Sequence, residues 1–254
     1  MKTLIKYILQ KVLGFKNYLF IFSLYITATL KSNVKEGDFI YFLSMLPKDS
    51  TILDIGANIG VMTVHISRKH PDAVVFSFEP VPENQYNIRR LIKFFKIKNV
   101  KVFEIALGNY NGPAEIIMPE YNHVKFHGLS HIDSIIGSES DKGVKYKVNI
   151  HKLDDLAEMK ALENPVSGIK IDVENYEYNV LEGARKLLIK YKPIIYAELW
   201  ENHNRADCIK LLTEMGYTTF ILDKGVLVKF DSARHQTQNF FFKYCLNQKA
   251  TNEA

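Results

Sequence analysis

A glycine-rich segment of the chain combines residue types that suit a ligand-binding turn. It reads Asp54-Ile55-Gly56-Ala57-Asn58-Ile59-Gly60 and begins within a short apolar run that predicts a buried strand. Glycine lets the backbone turn sharply next to a ligand, and the helix expected after the turn presents free N–H groups. The spacing differs from the G-x-G-x-x-G of dinucleotide-binding loops, and Asp54 suits an amine better than a pyrophosphate. The segment therefore predicts a site for a ligand that carries a cationic group.

A second carboxylate, Glu79, stands at the end of the next predicted strand. In doubly wound sheets an acid at this point accepts hydrogen bonds from ribose hydroxyls. Together with the glycine-rich turn it predicts a nucleoside ligand that lacks the phosphates of a dinucleotide. S-adenosylmethionine has these parts, because its ribose suits Glu79, its amine and carboxylate suit the turn, and its sulfonium can donate a methyl group.

Acidic residues also follow the fourth and fifth predicted strands, where an acceptor would lie. Methyl transfer to an alcohol needs the acceptor oxygen to be aligned and its proton removed. We predict that catalysis rests on residues among Asp172, Glu174, Glu198 and His203. Two other roles remain open, since Asp172 can contact the cofactor amine or anchor the loop, and Glu174 and Glu177 can stabilise a helix N-terminus.

Metal chemistry has two candidate groups in the sequence. Asp172, Glu174 and Glu198 offer oxygen ligands of the kind that suit Mg²⁺, but we predict a site without metal. The histidines at positions 123, 127 and 131 are four residues apart, yet the glycine at 128 favours a loop or strand over a helix. We expect these histidines to be solvated loop residues, with a contact to the acceptor as the alternative.

From residue 51 onward, runs typical of strands alternate with helical stretches. This order requires crossover connections, and it predicts a mostly parallel sheet with helices on both faces. The last strands follow one another across a short turn at residues 223–225, so we expect them to be antiparallel. The predicted strands are 52–55, 73–78, 100–107, 168–173, 194–199, 218–222, 226–230 and 239–243, and the predicted helices are 61–69, 84–95, 178–190 and 208–215. The stretch between residues 108 and 167 is predicted to be irregular.

Short segments between residues 51 and 242 resemble, in order and spacing, the FkbM family of S-adenosylmethionine-dependent methyltransferases. Besides the glycine-rich turn they are Phe78-Glu79-Pro80 with Asn84, Ala106-Leu107-Gly108 with Gly112, Leu153-Asp154-Asp155-Leu156, Ile169-Lys170-Ile171-Asp172-Val173-Glu174 with Glu177, Val180-Leu181 with Gly183-Ala184, and Asn239-Phe240-Phe241-Phe242. The resemblance implies a Rossmann-like class I methyltransferase fold with a seven-stranded sheet whose last strand is antiparallel. It also implies S-adenosylmethionine as cofactor and O-methylation of a hydroxyl of a sugar, glycan or natural product.

The resemblance also implies site residues. The predicted cofactor-binding residues are thereby Asp54, Gly56, Ala57, Asn58, Gly60, Glu79, Pro80, Asn84, Ala106 and Asp172. The sequence departs from the family pattern at one position, because Asp-x-Glu-Gly reads Asp172-Val173-Glu174-Asn175. Asparagine tolerates left-handed geometry, so we expect the turn to survive, with the Asn175 side chain at the mouth of the site.

The composition of the chain is that of an ordinary folded protein, with 254 residues of which 47% are hydrophobic and 24% charged. Positions 1–35 hold six of the 33 basic residues and no acid, which leaves 27 basic against 28 acidic residues elsewhere. A body so close to neutral argues against a nucleic-acid partner, since phosphate contacts need clustered Lys and Arg. Cys208 and Cys245 form no disulfide framework or zinc spacing, and we predict reduced thiols in a cytoplasmic protein.

Residues 1–48 are predicted to be an amphipathic helical extension before a methyltransferase domain at 49–246 and a polar tail at 247–254. The uncharged run at 18–30 has 13 residues and would reach only about 20 Å of the ~30 Å hydrocarbon layer. Apolar residues recur at helical spacing before it, with lysines around them. We expect a helix pair packed on the domain, and the alternative is peripheral contact of residues 1–30 with an anionic membrane at its inner face.

Two other functions fit parts of the sequence. A Rossmann-type oxidoreductase would use the same strand–turn–helix unit, but the third glycine of its loop is missing. A non-catalytic scaffold could keep the nucleoside pocket and use the basic arm to reach a membrane. A rise in melting temperature with nicotinamide or with S-adenosylmethionine separates the first alternative, and turnover of a small-molecule or glycan acceptor separates the second. The sequence makes no prediction of the oligomeric state.

Overall fold

The computed structural model describes residues 2–33, 36–121, 124–126, 130–132 and 143–245. The predicted polar tail at 247–254 lies outside these residues. The helices are α1 (Lys2–Leu13), α2 (Phe15–Thr29), α3 (Gly37–Met45), α4 (Val61–Lys69), α5 (Pro82–Phe94), α6 (Ala157–Lys160), α7 (Glu177–Glu182), α8 (Arg185–Tyr191) and α9 (His203–Glu214). The strands are β1 (Thr51–Ile55), β2 (Val74–Phe78), β3 (Val100–Phe103), β4 (Ala106–Leu107), β5 (Gly112–Tyr121), β6 (Val124–Lys125), β7 (His131–Ile132), β8 (Gly143–His151), β9 (Val166–Ile171), β10 (Ile194–Glu198), β11 (Tyr217–Asp223), β12 (Val226–Lys229) and β13 (Asn239–Tyr244).

The central sheet has eight strands among the described residues, in the order β12-β11-β13-β10-β9-β1-β2-β3. Strands β3, β2, β1, β9 and β10 are parallel neighbours, and β13 lies antiparallel between β10 and β11. The predicted α/β fold with an antiparallel last strand is confirmed, whereas the predicted number of seven strands is wrong. The strand beyond the seven that the resemblance implies is β12, which corresponds to the predicted strand 226–230 and pairs antiparallel with β11 across a turn with positive φ at Lys224 and Gly225, as in type I′ hairpins.

A second sheet lies in the stretch that we predicted to be irregular. Its order is β4-β8-β5-β6, with β7 paired to β5, and β5 runs antiparallel to β8 from Gly112 opposite Ile150 to Pro119 opposite Gly143. The predicted strand at 100–107 is also divided, since β3 belongs to the central sheet and β4 to the second one. The second sheet forms a wall beside the carboxyl ends of the parallel strands.

The predicted helix at 178–190 is divided into two helices, α7 and α8, because between them the chain passes very close to the backbone of another segment. A Cβ on Gly183 would lie 1.9 Å from the carbonyl oxygen of Gly108. The break exposes the first N–H groups of α8, and the carboxylate of Asp154 accepts hydrogen bonds from Lys186 N and Leu187 N at 2.8 and 2.9 Å. This cap explains an acid in the Leu-Asp-Asp-Leu segment in structural terms.

The N-terminal helices α2 and α3 cover one face of the central sheet. Phe39 and Phe42 of α3 are fully buried, and the Phe42 ring stacks on Tyr196 of β10 at 5.5 Å. Tyr18 and Leu19 of α2 are buried in the same apolar cluster. Helices α2 and α3 therefore belong to the packed body of the fold.

Helix α1 is less enclosed, and its apolar face is exposed. Among the described helices none is long and apolar enough by itself to cross a bilayer. The segments Leu4–Leu13 and Phe15–Ser32 reach that length and composition only together, as a pair bent by 119°.

Candidate active site

A cleft of about 650 Å³ opens where β1, β2 and β9 end, which is the edge at which open α/β sheets bind ligands. Its walls come from the turn after β1, the start of α5, the second sheet and the turn after β9. The predicted cofactor-binding residues that line it are Gly56, Asn58, Glu79, Pro80, Asn84, Ala106 and Asp172. The topology therefore brings together residues that are up to 116 positions apart in the chain.

The turn after β1 is held against β2 by its main chain. The N–H groups of Gly56 and Ala57 both donate to Phe78 O, at 3.1 and 3.0 Å. Gly56 has φ +74°, and a Cβ there would lie 1.8 Å from the carbonyl oxygen of Asp172. We expected this glycine to make room for a ligand, but the space beside it is filled by the protein's own backbone. Ala57 and Gly60 are not among the lining residues, and a Cβ on Gly60 would meet Ile88 of α5 at 2.8 Å.

Glu79 is 4% exposed and connects three segments around the cleft. One carboxylate oxygen accepts from Asn58 N at 2.8 Å, and the other accepts from Val81 N at 2.9 Å and Asn84 Nδ2 at 3.1 Å. Burial raises the pKa of Glu79 to about 7 despite these donors. Three of roughly four acceptor positions are used, which leaves one for a donor from the cleft.

Lys170 is a site residue to which we assigned no role from the sequence. Its side chain is 3% exposed, and Nζ donates to Gly56 O at 2.7 Å. The same Nζ lies 3.4 Å from Asp54 Oδ1 and 3.5 Å from Asp172 Oδ2. Burial lowers the pKa of Lys170, but Asp54 and Asp172 outweigh it and the pKa ends above its usual value. The sequence did carry a signal for this role, because a lysine between Ile169 and Ile171 on a buried strand needs a partner for its charge.

The placement of Asp54 corrects our expectation that it faces an amine of the ligand. Asp54 is fully buried, does not line the cleft, and accepts a hydrogen bond from the Thr63 hydroxyl of α4. The cation beside it is Lys170. Asp54 therefore fixes the lysine that joins the turn after β1 to the end of β9.

The turn after β9 carries an acidic group. Asp172 and Glu174 line the cleft, and Glu198 ends the neighbouring strand β10 outside its lining. Burial, with repulsion from Asp172 and Glu198, raises the pKa of Glu174 to about 8. Burial and Asp172 likewise raise the pKa of Glu198 to about 7. The carboxyl groups of Glu174 and Glu198 therefore change protonation near neutral pH, as groups that transfer protons do.

Asn175, where the family pattern has glycine, adopts the left-handed conformation that we expected. Its φ is +70°, directly after Glu174 at +53°. Its side chain accepts a hydrogen bond from Asn202 Nδ2 and is not among the lining residues. Glu177, for which we left a helix N-terminal role open, is buried in the first turn of α7 and accepts from Asn175 N at 3.2 Å. The asparagine thus leaves the mouth of the cleft open.

The histidines divide into three cases. His203 is exposed in the first turn of α9 and does not line the cleft, contrary to its predicted place. His131 on β7 is 7% exposed and does line it, so it is not the solvated loop residue that we expected. The predictions for His123 and His127 concern positions outside the described residues. No group of three His, Cys, Asp or Glu side chains within the described part of the chain is placed to hold a metal ion.

One aromatic residue marks the same edge of the sheet. Trp200, the single tryptophan of the sequence, lies two residues beyond Glu198 and is 40% exposed.

Comparison with known proteins places the chain in a family. The model of the methyltransferase FkbM domain matches residues 54–219, which include both turns of the cleft. The chain belongs to the FkbM methyltransferase domain family. It is 28% identical over 157 residues to Methyltransferase 1 of Beauveria bassiana, covering 58% of this chain and 63% of that protein. It is 27% identical over 229 residues to Methyltransferase sdnD of Sordaria araneosa, covering 80% and 83%.

A solved structure shows the same fold. Methyltransferase FkbM from Methylobacillus flagellatus KT superposes with a TM-score of 0.50 at 15% identity, covering 78% of this chain and 45% of that chain. This FkbM domain therefore has the class I methyltransferase fold. The chain spans less than two thirds of the length of the Methylobacillus flagellatus protein and of Methyltransferase 1.

The cofactor of this FkbM domain is S-adenosyl-L-methionine, and the cleft has free groups that fit it. Asn84 is 1% exposed and lines the cleft, and its Oδ1 accepts no hydrogen bond from the residues that the structure describes. This acceptor and the remaining one on Glu79 suit the hydroxyl or amine hydrogens of an adenosyl group. Apolar side chains such as Phe78 and Ile105 also line the cleft, as is usual in pockets that bind small molecules.

The raised pKa of Glu174 makes the stability of the protein depend on pH. Glu174 keeps its proton up to about pH 8 when folded, but loses it near its ordinary pKa of 4.5 when unfolded. The folded state binds more protons between these values, so the contribution of Glu174 to stability falls as the pH rises through this window.

We therefore expect Glu174→Gln, which cannot ionise, to gain stability relative to the wild type as the pH rises toward 8. Urea unfolding at a series of pH values measures this difference. Burial lowers the pKa values of His65 and His70, so their contribution to stability rises with pH. Both the wild type and Glu174→Gln contain these histidines, so the contribution cancels in the comparison. Exposed Glu201→Gln is the control, and a difference that stays constant with pH would contradict the prediction.

Proposed function

We propose that this protein is an S-adenosylmethionine-dependent methyltransferase that methylates a hydroxyl group of a sugar, glycan or natural product. The observation that carries the proposal is one cleft with two ends of different chemistry. Glu79 and Asn84 offer acceptors for a nucleoside at one end, and Asp172 and Glu174 offer carboxylates at the other.

In this proposal each residue has a defined task. Glu79 and Asn84 hold the ribose, and the turn that contains Gly56 and Asn58 holds the amino-acid part of the cofactor. When bound, S-adenosylmethionine supplies an electrophilic methyl group. Asp172 orients the acceptor hydroxyl, because its carboxylate is fixed by Lys170 at 3.5 Å and still 34% exposed toward the cleft.

Glu174, in the same cluster of acidic residues, removes the proton of the acceptor hydroxyl in this proposal. Glu174, with a pKa of about 8, is ionised in only a fraction of the molecules at neutral pH, but its carboxylate is a stronger base than that of an ordinary glutamate. In those molecules it takes the hydroxyl proton on Oε1 or Oε2. Glu198 on the next strand raises that pKa further and so increases the basicity of Glu174.

A second candidate acceptor is an amine, which the charge around the turn after β9 favours. Asp172 and Glu198 repel the ionised form of Glu174, and Lys170 is the cation that opposes them. A cationic acceptor would relieve this repulsion.

One experiment tests the function and separates the two acceptors. The protein is incubated with methyl-labelled S-adenosylmethionine and with extracts of cell-envelope glycans and small metabolites. Products are then examined for methyl ethers or methylamines by NMR. A labelled ether supports the first acceptor and a labelled amine supports the second. Absence of both, together with absence of cofactor binding by calorimetry, would refute the proposal.

The role of Glu79 can be tested by binding alone. We expect Glu79→Gln to weaken S-adenosylmethionine binding by roughly 1.5–3 kcal/mol, or about 10- to 150-fold, because a hydrogen bond to a charged group is lost. Isothermal titration calorimetry measures the change. Glu104→Gln, at an exposed acid near the end of β3, is the matched control. Equal affinity of Glu79→Gln and the wild type would remove Glu79 from the ribose site.

A further inference from the structure

Helix α1 is turned the opposite way from an ordinary surface helix. Its large apolar side chains face outward, with exposed fractions of 61% for Leu4, 53% for Ile5, 49% for Ile8, 40% for Leu9 and 75% for Val12. Their spacing puts them on one face of the helix. A helix of a water-soluble fold would turn this face toward the core.

Polar contacts hold α1 in this orientation. Gln10 is 9% exposed, its Nε2 donates to Lys125 O at 3.2 Å, and its Oε1 accepts from Lys125 N at 3.1 Å. Lys6 lies over the ring of Phe126, with Nζ 5.0 Å from the ring centre. The outward direction of the apolar face therefore follows from bonds to the second sheet, through β6.

The charge of positions 1–35 indicates what kind of surface would cover the apolar face of α1. Positions 1–35 hold six lysines and no acid. The lysines are Lys2, Lys6, Lys11, Lys16, Lys31 and Lys35. An apolar helix face with a basic surround complements an anionic lipid surface, which offers a hydrocarbon layer below its negative headgroups. A neutral or basic partner would leave the lysines unmatched.

We infer that α1 docks the protein on the surface of an anionic lipid bilayer, with the side chains of Leu4, Ile5, Ile8, Leu9 and Val12 inserted among the acyl chains and the exposed Lys11 of the same helix at the headgroups. The inference is independent of the methyl acceptor. It places α1 flat on the membrane, since α1 has 12 residues and cannot cross it.

Co-sedimentation of the full chain with vesicles tests this inference. We expect binding to vesicles of phosphatidylcholine mixed with phosphatidylglycerol, little binding to phosphatidylcholine alone, and release by salt, because salt screens the lysines. The variant with Ile5→Ser, Ile8→Ser and Val12→Ser should keep its melting temperature, since these side chains are exposed. It should lose affinity for the mixed vesicles by about tenfold or more.

A matched variant carries Ile189→Ser and Val226→Ser, which are 60% and 62% exposed elsewhere on the surface. It should bind the mixed vesicles like the wild type. The inference is overturned if the wild type stays in the supernatant, or if the α1 variant binds as well as the wild type. It is also overturned if the protein is a dimer that the α1 variant dissociates without vesicle binding, which would make a second copy the occupant. Binding that survives both salt and alkaline carbonate would overturn it in favour of an inserted helix pair.

Discussion

Gly56→Val is expected to lower the free energy of unfolding by about 3–5 kcal/mol, the sum of steric overlap and backbone strain at one position. A Cβ at position 56 would lie 1.8 Å from Asp172 O and 2.8 Å from Asp172 C, and backbone atoms cannot swing away as a side chain can. The φ of +74° adds a conformation that a β-branched residue avoids. Moving the turn would also break the hydrogen bond from Lys170 Nζ to Gly56 O.

Urea unfolding followed by circular dichroism measures this loss, and calorimetry with S-adenosylmethionine shows whether binding is lost with it. Gly225→Val is the matched control, because Gly225 has φ +81° but no atom within 4 Å of the added Cβ. It carries the strain without the overlap. If the two variants were equally stable, the close approach of β9 to the turn after β1 would not be the reason for glycine at position 56.

Asp172→Asn is expected to fold and to bind the cofactor, yet to lose on the order of 10²- to 10⁴-fold in kcat, the range typical of a lost general acid or base. Lys170 keeps Asp54 and Gly56 O as partners in this variant, so the centre of the sheet stays paired. The amide keeps the shape of the carboxylate but neither orients a hydroxyl by its charge nor supports proton removal by Glu174.

The measurement is single-turnover methyl transfer, once an acceptor has been identified by the labelling experiment, with calorimetry on the same sample as the test of folding and binding. Glu201→Gln changes an exposed acid beyond the end of β10 and should retain the wild-type rate. Near wild-type turnover by Asp172→Asn would move the role to Glu174, which also lines the cleft.

The central sheet could be predicted because its strands are short apolar runs separated by helices. The second sheet could not be predicted in the same way. Three of its strands, β4, β6 and β7, have only two residues each, and β5 contains Pro113 and Pro119, which argue against a strand. Strand β8 did carry a signal, since Val144, Tyr146 and Val148 alternate with exposed polar residues.

The candidate site was predictable in its residue types and only partly in its pairings. One cleft contains the glycine-rich turn, Glu79 and the acidic residues after β9, because the parallel strands that carry them end at the same edge of the sheet. The sequence could not reveal that Asp54 faces Lys170, because the two residues are 116 positions apart and only the register of β1 against β9 brings them together. Similarly, Gly56 suggested room for a ligand, whereas the neighbour that requires it is the carbonyl of Asp172.

Trp200 gives the native chain an optical reporter of its own active edge. It is the single indole in the sequence, so emission excited beyond the tyrosine band comes from that position alone. At 40% exposure, two residues past Glu198, the indole is still wetted by solvent. A molecule that binds over the end of β10 would displace that water and shift the fluorescence emission of Trp200 to shorter wavelength. Acceptor screening can thus begin with unlabelled, unmodified protein in a fluorimeter, before any methylated product is known.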